Sequence, residues 1–328
     1  MSEVIIGVDL GGTKIRAARL DAKLNILERQ ETLTRDEEGL EPTLVRIKAM
    51  IEAVWPQDGT KVTGIGICAP GPLDPETGVV VAPPNLYGWH NVPLGDILHE
   101  AFNVPIYVGN DANVAALAET TRGAAQGFRH VIFITISTGI GSGIVVDGRL
   151  LLGKSGLAAE FGHVPIIADG VVSSVEREGS GTHLARKMRE RLEAGATSLV
   201  SQLVNGDLEK VDAKTIGQAV AQGDKLAVEV VREGAYRVGL GVVGLLHLFN
   251  PEIIVIGGGV SNMGDVIFEP VWEAVKAHTL DEAYWQDLKI VPAALQDDVS
   301  IVGAAALVLT HGGQSDISLI ESSLTVSS

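Results

Sequence analysis

Cys68 is the only cysteine in this chain of 328 residues. No intrachain disulfide can form, and no multi-cysteine zinc site can be built. Basic charge is scarce as well: 25 Lys and Arg stand against 41 Asp and Glu, a formal net charge of −16. Repulsion from phosphate backbones and anionic headgroups argues against nucleic-acid and membrane partners, while a local basic patch can still hold a small polyanion. No apolar run reaches the about 18 residues of a membrane span. The opening MSEVIIGVDL puts Glu3 before a short apolar run. A secretory signal would have a basic start, a longer apolar core and a small-residue cleavage site. These absences lead us to expect a soluble, cytoplasmic protein.

Hydrophobic residues make up 46% of the chain and charged residues 20%. That balance supports a large packed core rather than disorder, and the length suits about two domains. Residues 4–8 form a β-branched apolar run, the pattern of a buried strand. Gly11 and Gly12 interrupt it, and apolar runs resume at 15–20 and 26–33, which predicts an antiparallel start to a mixed sheet. Helical spacing follows at 44–55, a strand at 62–68 ending in Ala69-Pro70-Gly71-Pro72, a short helix at 96–102, a strand at 104–108 and a helix at 112–121.

A second block opens in the same way, with a strand at 131–137, a glycine-rich turn at 138–143 and a return at 144–146. The repeated strand, glycine turn and strand are expected of a fold with two related halves. Residues 181–193 and most of 215–248 read as helix, and a strand at 253–256 ends in Gly257-Gly258-Gly259. A helix at 266–278 can tolerate Pro270 only in its first turn. A strand at 288–291 and a final helix at 301–309 complete the pattern, and the Ser-rich tail from Gly312 reads as mobile. No solenoid-type repeat is present.

The segment GNDANVAALAE, residues 109–119, lies at a predicted strand-to-helix junction. There Asp111 can accept a proton while Asn110 holds a hydroxyl; Asp is also a common helix cap, which needs no catalysis. Asp9-Leu10-Gly11-Gly12-Thr13-Lys14 sits between two strands. Its paired glycines let backbone N–H groups converge on an anion, with Thr13 and Lys14 adding a hydroxyl and a charge. It lacks P-loop spacing, and an ordinary glycine hairpin is the competing reading. Asp9 at the strand end can hold a magnesium-bound water.

The run Ser137-Thr138-Gly139-Ile140-Gly141-Ser142-Gly143 is followed by a β-return, not a helix, which removes the context of a dinucleotide fingerprint and favours a second phosphate hairpin. Gly257, Gly258 and Gly259 follow a strand and can pass beneath a base or ribose. Glu160, His163 and Glu176 can be read as metal ligands, or His163 as a structural histidine. With acidic neighbours and no cysteine, a pocket accepting hydrogen bonds from several hydroxyls is the preferred reading. Asn85, after Pro83-Pro84, can join that pocket or simply serve its turn.

Taken together, DLGGTKI, APGPLD, GNDANVAALAE, STGIGSGI, EFGH and IGGGVS make the chain resemble the ROK family of bacterial sugar kinases and repressors, its glucokinases most of all, over residues 4–309. The resemblance implies an actin-like (ribonuclease H-like, duplicated) two-domain α/β fold, with ATP and sugar in a cleft between domains. The implied domains are residues 1–111 with about 300–328, and residues 112–299. Asp111 resembles the catalytic base and Asn110 its sugar-binding neighbour. Glu160, His163 and Glu176 resemble the residues that grip the sugar hydroxyls, with Asn85 and the Gly71 turn lining the pocket. Gly11, Gly12, Thr13 and Lys14, with Thr138 and Gly139, resemble the two phosphate loops, and Gly257 to Gly259 the adenosine-side turn.

One departure is plain. Many family members carry C-x-C-G-x-x-G-C between the sugar-binding His and the following Glu. Here that stretch is VPIIADGVVSSV, residues 164–175, without cysteine. The zinc is therefore expected to be absent, and another partner is expected to fix the His163 ring. The resemblance implies ATP and Mg2+ as cofactors, a homodimer or homotetramer, and phosphorylation of the 6-hydroxyl of a hexose, glucose first. Fructose, mannose, an N-acetylhexosamine, a polyphosphate donor, and a non-catalytic sugar sensor are the alternatives. Family repressors carry an added helix-turn-helix, whereas this sequence opens on its first strand, so a DNA-binding role is not expected.

Overall fold

The computed structural model describes residues 3–318. Strands β1 (Glu3–Leu10), β2 (Lys14–Asp21) and β3 (Ile26–Leu33) come first, as the interrupted apolar runs predict. Helix α1 (Leu40–Val54) and strand β4 (Lys61–Cys68) follow. A three-stranded meander of β5 (Leu73–Asp74), β6 (Val79–Val80) and β7 (Val92–Pro93) leads into α2 (Leu94–Phe102), β8 (Ile106–Gly109) and α3 (Asp111–Arg122). Next are β9 (Val131–Ile136), β10 (Ile140–Val146) and β11 (Arg149–Leu150). A hairpin of β12 (Pro165–Ala168) and β13 (Val171–Ser174) precedes α4 (Val175–Gly179), α5 (Gly181–Glu193) and α6 (Leu199–Leu203). The chain ends with α7 (Ala213–Ala221), α8 (Lys225–Phe249), β14 (Ile253–Gly257), α9 (Asp265–His278), β15 (Lys289–Pro292) and α10 (Val299–Leu309).

Contacts divide the described chain into two compact units, residues 3–131, 143–158 and 293–318 in one, and 132–142 and 159–292 in the other. The sequence-based division at 111/112 would place α3 in the larger domain. The contacts keep it in the first unit, because α3 packs on α10.

The first unit's sheet has the order β3-β2-β1-β4-β8. β1 runs antiparallel to β2 and parallel to β4, and β4 is parallel to β8. On one face, Leu44, Ile47 and Ile51 of α1 and Leu94 and Leu98 of α2 join Val4, Ile6 and Val8 in one buried cluster. On the other face, α10 lies so close that a Cβ on Gly66 of β4 would overlap the Ala304 carbonyl, and one on Gly303 would overlap that of Val114 on α3. The Ala- and Gly-rich sequence of α10 is what permits this approach. Buried Glu119 on α3 ties the helix ends together, accepting N–H groups of Ala124, Ala294 and Leu295 at 2.7 to 3.0 Å.

The tail is anchored as far as the structure describes it, against the expectation of mobility from Gly312. Gly313 accepts a backbone bond from Leu150, Ile317 is buried and donates to Gly148, and Asp316 pairs with Arg129 at 2.9 Å. Residues beyond 318 lie outside the described range.

A second sheet has the order β11-β10-β9-β14-β15, which repeats the first when each is counted from its own opening strand. The turn at its start is shorter than expected: β10 already begins at Ile140, so Gly141 and Gly143 are strand residues. Gly143 faces the backbone of Ala112, where a side chain would clash. The helical stretch 215–248 is two helices, broken at Gly223 with a φ of 75°. Pro270 lies inside α9, beyond the first turn to which the sequence reading confined it. No described helix is long and apolar enough to cross a membrane.

His183 on α5 is buried, with Arg186 Nη2 2.8 Å from its Nδ1 and Glu178 Oε2 3.8 Å from its Nε2. Burial holds its pKa down at about 4, from an ordinary 6.5; Glu178 opposes that shift, and Arg186 and Lys187 add to it. Between those values the unfolded chain binds a proton that the folded chain does not, so stability should fall as pH drops through this window. Urea unfolding across it should show the decline, and His183→Gln should flatten it. Independently, Gly66→Ala should destabilise the first unit by about 3 kcal/mol, since backbone rather than a movable side chain blocks the added methyl.

Candidate active site

The parallel strands β1, β4 and β8 end level with one another. Asp9 pairs in register with Cys68, and Cys68 with Gly109. Carboxyl ends of parallel strands are where α/β sheets present ligand-binding groups. Here they bring Asp9, Cys68 and the Gly109-Asn110-Asp111 junction together.

At that junction Asn110 is the cap. Its side-chain oxygen accepts the Asn113 N–H at 2.8 Å, and Asp111 is the first helical residue. The competing reading of Asp111 as a helix cap therefore falls away, and its carboxylate is left for other work. Asp111 is open to solvent, yet protein atoms crowd it closely enough to strip much of its hydration. That burial raises its pKa above the ordinary 3.8; the Cys68 thiol, donating to Oδ1 at 3.2 Å, works against the rise, and the charge of Asp9 adds to it.

Asp9 itself is held by one oxygen. Arg16 Nε and Nη2 donate to Oδ2 at 2.9 and 2.6 Å, and Arg16 Nη1 donates to the Asp297 carbonyl at 3.0 Å. The turn from Gly11 to Lys14 closes through the Gly11 N–H on the Lys14 carbonyl at 2.9 Å, with Thr34 Oγ1 on the Gly11 carbonyl. Asn85 lies against Gly12, so the structure joins this sugar-pocket candidate to the first glycine turn. The Lys14 ammonium meets Glu31 at 2.8 Å, an exposed pair that costs little to part. Gly71, three residues beyond β4, has the Leu73 backbone nitrogen in ordinary contact distance, 4.0 Å from where a Cβ would sit.

In the second unit the remaining candidates gather. Glu160 opens a 3-10 turn over Phe161–His163, and both Glu160 and His163 are exposed. Gly162 backs onto the Cβ of Glu176, which brings the turn beside Glu176. One Glu176 oxygen, Oε2, accepts the Ile140 N–H at 2.8 Å and sits where a Cβ on Gly139 would be. A side chain on Gly139 would displace that carboxylate, and Glu176 is thereby tied to the Thr138–Gly139 turn. The Thr138 carbonyl accepts Thr182 Oγ1 at 2.8 Å. Gly257 ends β14, and Gly258, with a φ of 87°, accepts the Ser261 hydroxyl at 2.7 Å. Gly259 has open space above it.

The expected side-chain partner of His163 is not found among the described residues. The stretch between His163 and Glu176 folds into the β12–β13 hairpin, closed at its base by the Val175 N–H on the Val164 carbonyl at 3.1 Å. Arg237 on α8 pairs with Asp169 at the hairpin tip at 2.7 Å.

Two site residues escaped the sequence reading. Arg16 lies across the β1–β2 hairpin from Asp9, a pairing visible only once the register is known. Cys68 had been noted for what a lone thiol excludes, and only strand alignment places it on Asp111.

The chain as a whole is similar to known proteins. The ROK family matches over residues 5–311. A glucokinase from Thermotoga maritima is 36% identical over 310 residues, covering 93% of this chain and 96% of that protein. A ROK family glucokinase from Streptomyces griseus, solved with glucose and AMPPNP, is 34% identical with a TM-score of 0.75, covering 93% of this chain and 98% of the other. A ROK hexokinase from Thermus thermophilus is 32% identical with a TM-score of 0.78, covering 92% and 97%. The chain belongs to the ROK family and has its actin-like two-domain α/β fold.

Proposed function

We propose that this protein is a glucokinase, transferring the γ-phosphoryl group of ATP to the 6-hydroxyl of glucose. The observation that carries the reading is Asp111: a carboxylate at the carboxyl ends of parallel strands, released from capping by Asn110, reachable by a ligand, and made more basic by burial. The relatives named glucokinase, and the one solved with glucose and AMPPNP, support glucose and ATP as its substrates.

In this reading Asp111 takes the hydroxyl proton as the sugar oxygen attacks the γ-phosphorus in line. The bond from that phosphorus to the bridging oxygen breaks, and ADP leaves. Positioning and charge stabilisation supply most of the acceleration. Asn110, Glu160, His163 and Glu176 hold sugar hydroxyls, with Asn85 and the Gly71 turn beside them. Backbone N–H groups of the turns at Gly11 to Lys14 and at Thr138–Gly139 hold phosphoryl oxygens, and Gly257 to Gly259 lie along the adenosine. Asp9 suits a magnesium-bound water, since Arg16 occupies Oδ2 and Oδ1 has no hydrogen-bond partner among the described residues. Such a single carboxylate, with substrate phosphates, is the usual hold on Mg2+, which neutralises phosphoryl charge when bound. We further read the protein as a cytoplasmic homodimer or homotetramer without zinc, nucleic-acid or membrane partners.

Asp111→Asn should lower kcat by about 10²–10⁴ with sugar binding kept; near-normal turnover would refute the assignment. For the parent, kcat/KM should drop on the acid side as Asp111 is protonated, with the limb above the range of an ordinary aspartate. Coupled measurement of ADP release with glucose, fructose, mannose and N-acetylhexosamines, and with polyphosphate replacing ATP, should favour glucose and ATP. No ADP release with any sugar would leave a sensor instead. Glu160→Gln and His163→Ala should mainly raise KM for the sugar, and unchanged KM in both would remove them from the pocket. Metal analysis should find no stoichiometric zinc.

A further inference from the structure

Cys68 has no part in the mechanism above, although it is buried at the heart of the site, 1% exposed. It ends β4 level with Asp9 on β1 and Gly109 on β8. Its thiol is the only hydrogen-bond partner of the Asp111 carboxylate among the described residues, at 3.2 Å to Oδ1. An aspartate carboxylate rotates broadly about its last torsion, so one bond to one oxygen decides which oxygen is left over.

We propose that Cys68 is a positioning residue for the base: its S–H holds Asp111 Oδ1 and leaves Oδ2 for the sugar hydroxyl. The proposal rests on the reading of Asp111 as base. Proton balance is simple. The hydroxyl proton passes to Oδ2, and the thiol keeps its own proton and its bond to Oδ1 throughout. The thiol stays a donor because burial, then the negative charges of Asp111 and Asp9, push its pKa well above the ordinary thiol range. The charged groups around Asp111 are few. Asp9 on β1 acts on it directly, and Arg16 on β2 is already paired with Asp9.

The chemistry distinguishes this role from packing. Alanine removes the donor, valine removes it while keeping bulk in a strand, and serine restores a donor. Cys68→Ala should lower kcat by about threefold to tenfold, a range set by the modest worth of a weak S–H donor on a charged acceptor. KM for glucose should stay within about twofold, and the acid limb of kcat should move to higher pH as Asp111 loses a bond favouring its charged form. Cys68→Ser should return both kcat and the limb close to the parent. If the alanine variant does not fold, Cys68→Val reads the same quantities.

Thermal melts of each variant separate loss of fold from loss of positioning. Unchanged kcat and acid limb in a folded donorless variant would overturn the proposal. So would a folded serine variant as impaired as alanine. Asp111→Asn, assayed in parallel, keeps the two readings apart. Normal turnover there removes the base itself, whereas a dead Asp111→Asn beside an unaffected Cys68→Ala removes only the positioning role.

Discussion

The level carboxyl ends of β1, β4 and β8 are the constraint on which the first half of this site depends. Register across two parallel pairings sets Asp9, Cys68 and Gly109 side by side, and the chain leaves β8 straight into the α3 junction. Register is held in turn by α10. Its backbone presses on β4 at Gly66 and on α3 at Gly303, so neither the sheet nor the helix can slip without a backbone clash. Buried Glu119 closes the far end of α3 with bonds to Ala294 and Leu295, just before α10. A packing constraint remote from the proposed chemistry thus fixes where the candidate base, Asp111, stands.

Around that base the electrostatics are divided between three short contacts. Arg16 neutralises one side of Asp9, which lessens but does not remove its effect on Asp111. Burial makes Asp111 a better proton acceptor than an exposed aspartate, and the Cys68 thiol restrains that shift while holding one oxygen. A base that is too acidic accepts a proton poorly, and one that is too weakly acidic is already protonated near neutral pH. On Asp111 burial raises the pKa and the bond from Cys68 works against that rise.

In the second unit the same duplicated sheet order supplies glycine turns at the ends of β9 and β14, and α4 adds Glu176. Glu176 joins two segments through geometry: its Oε2 fills the space over Gly139 and accepts from Ile140, so the sugar-pocket candidate also meets the glycine turn proposed to hold phosphate. The segment between His163 and Glu176 is a β-hairpin. Its base is closed by Val164 and Val175, directly after His163 and directly before Glu176. Backbone pairing brings these two positions together, and the His163 ring is left without a protein partner of its own among the described residues.

Strands and helices of both halves were legible because their apolar residues recur at the periods of buried strands and amphipathic helices. The duplication was legible because glycine turns follow the opening strand of each half. Motif residues marked the site for the same reason: a glycine that must admit backbone, or a carboxylate at a strand end, leaves a trace in the chain itself. Local patterns misjudged the turn after β9, Pro270 and the tail, since Gly143 inside a strand, a proline beyond a helix's first turn and a Ser-rich segment are each settled by what packs against them. The sequence by itself determined the element types, the two related halves and the acidic residue at the α3 junction. Only the tertiary structure decided that Asn110 rather than Asp111 caps α3, that Arg16 meets Asp9, and that Cys68 touches Asp111. Those facts depend on register between strands far apart in the chain, and periodicity within a strand carries no information about its neighbour's register.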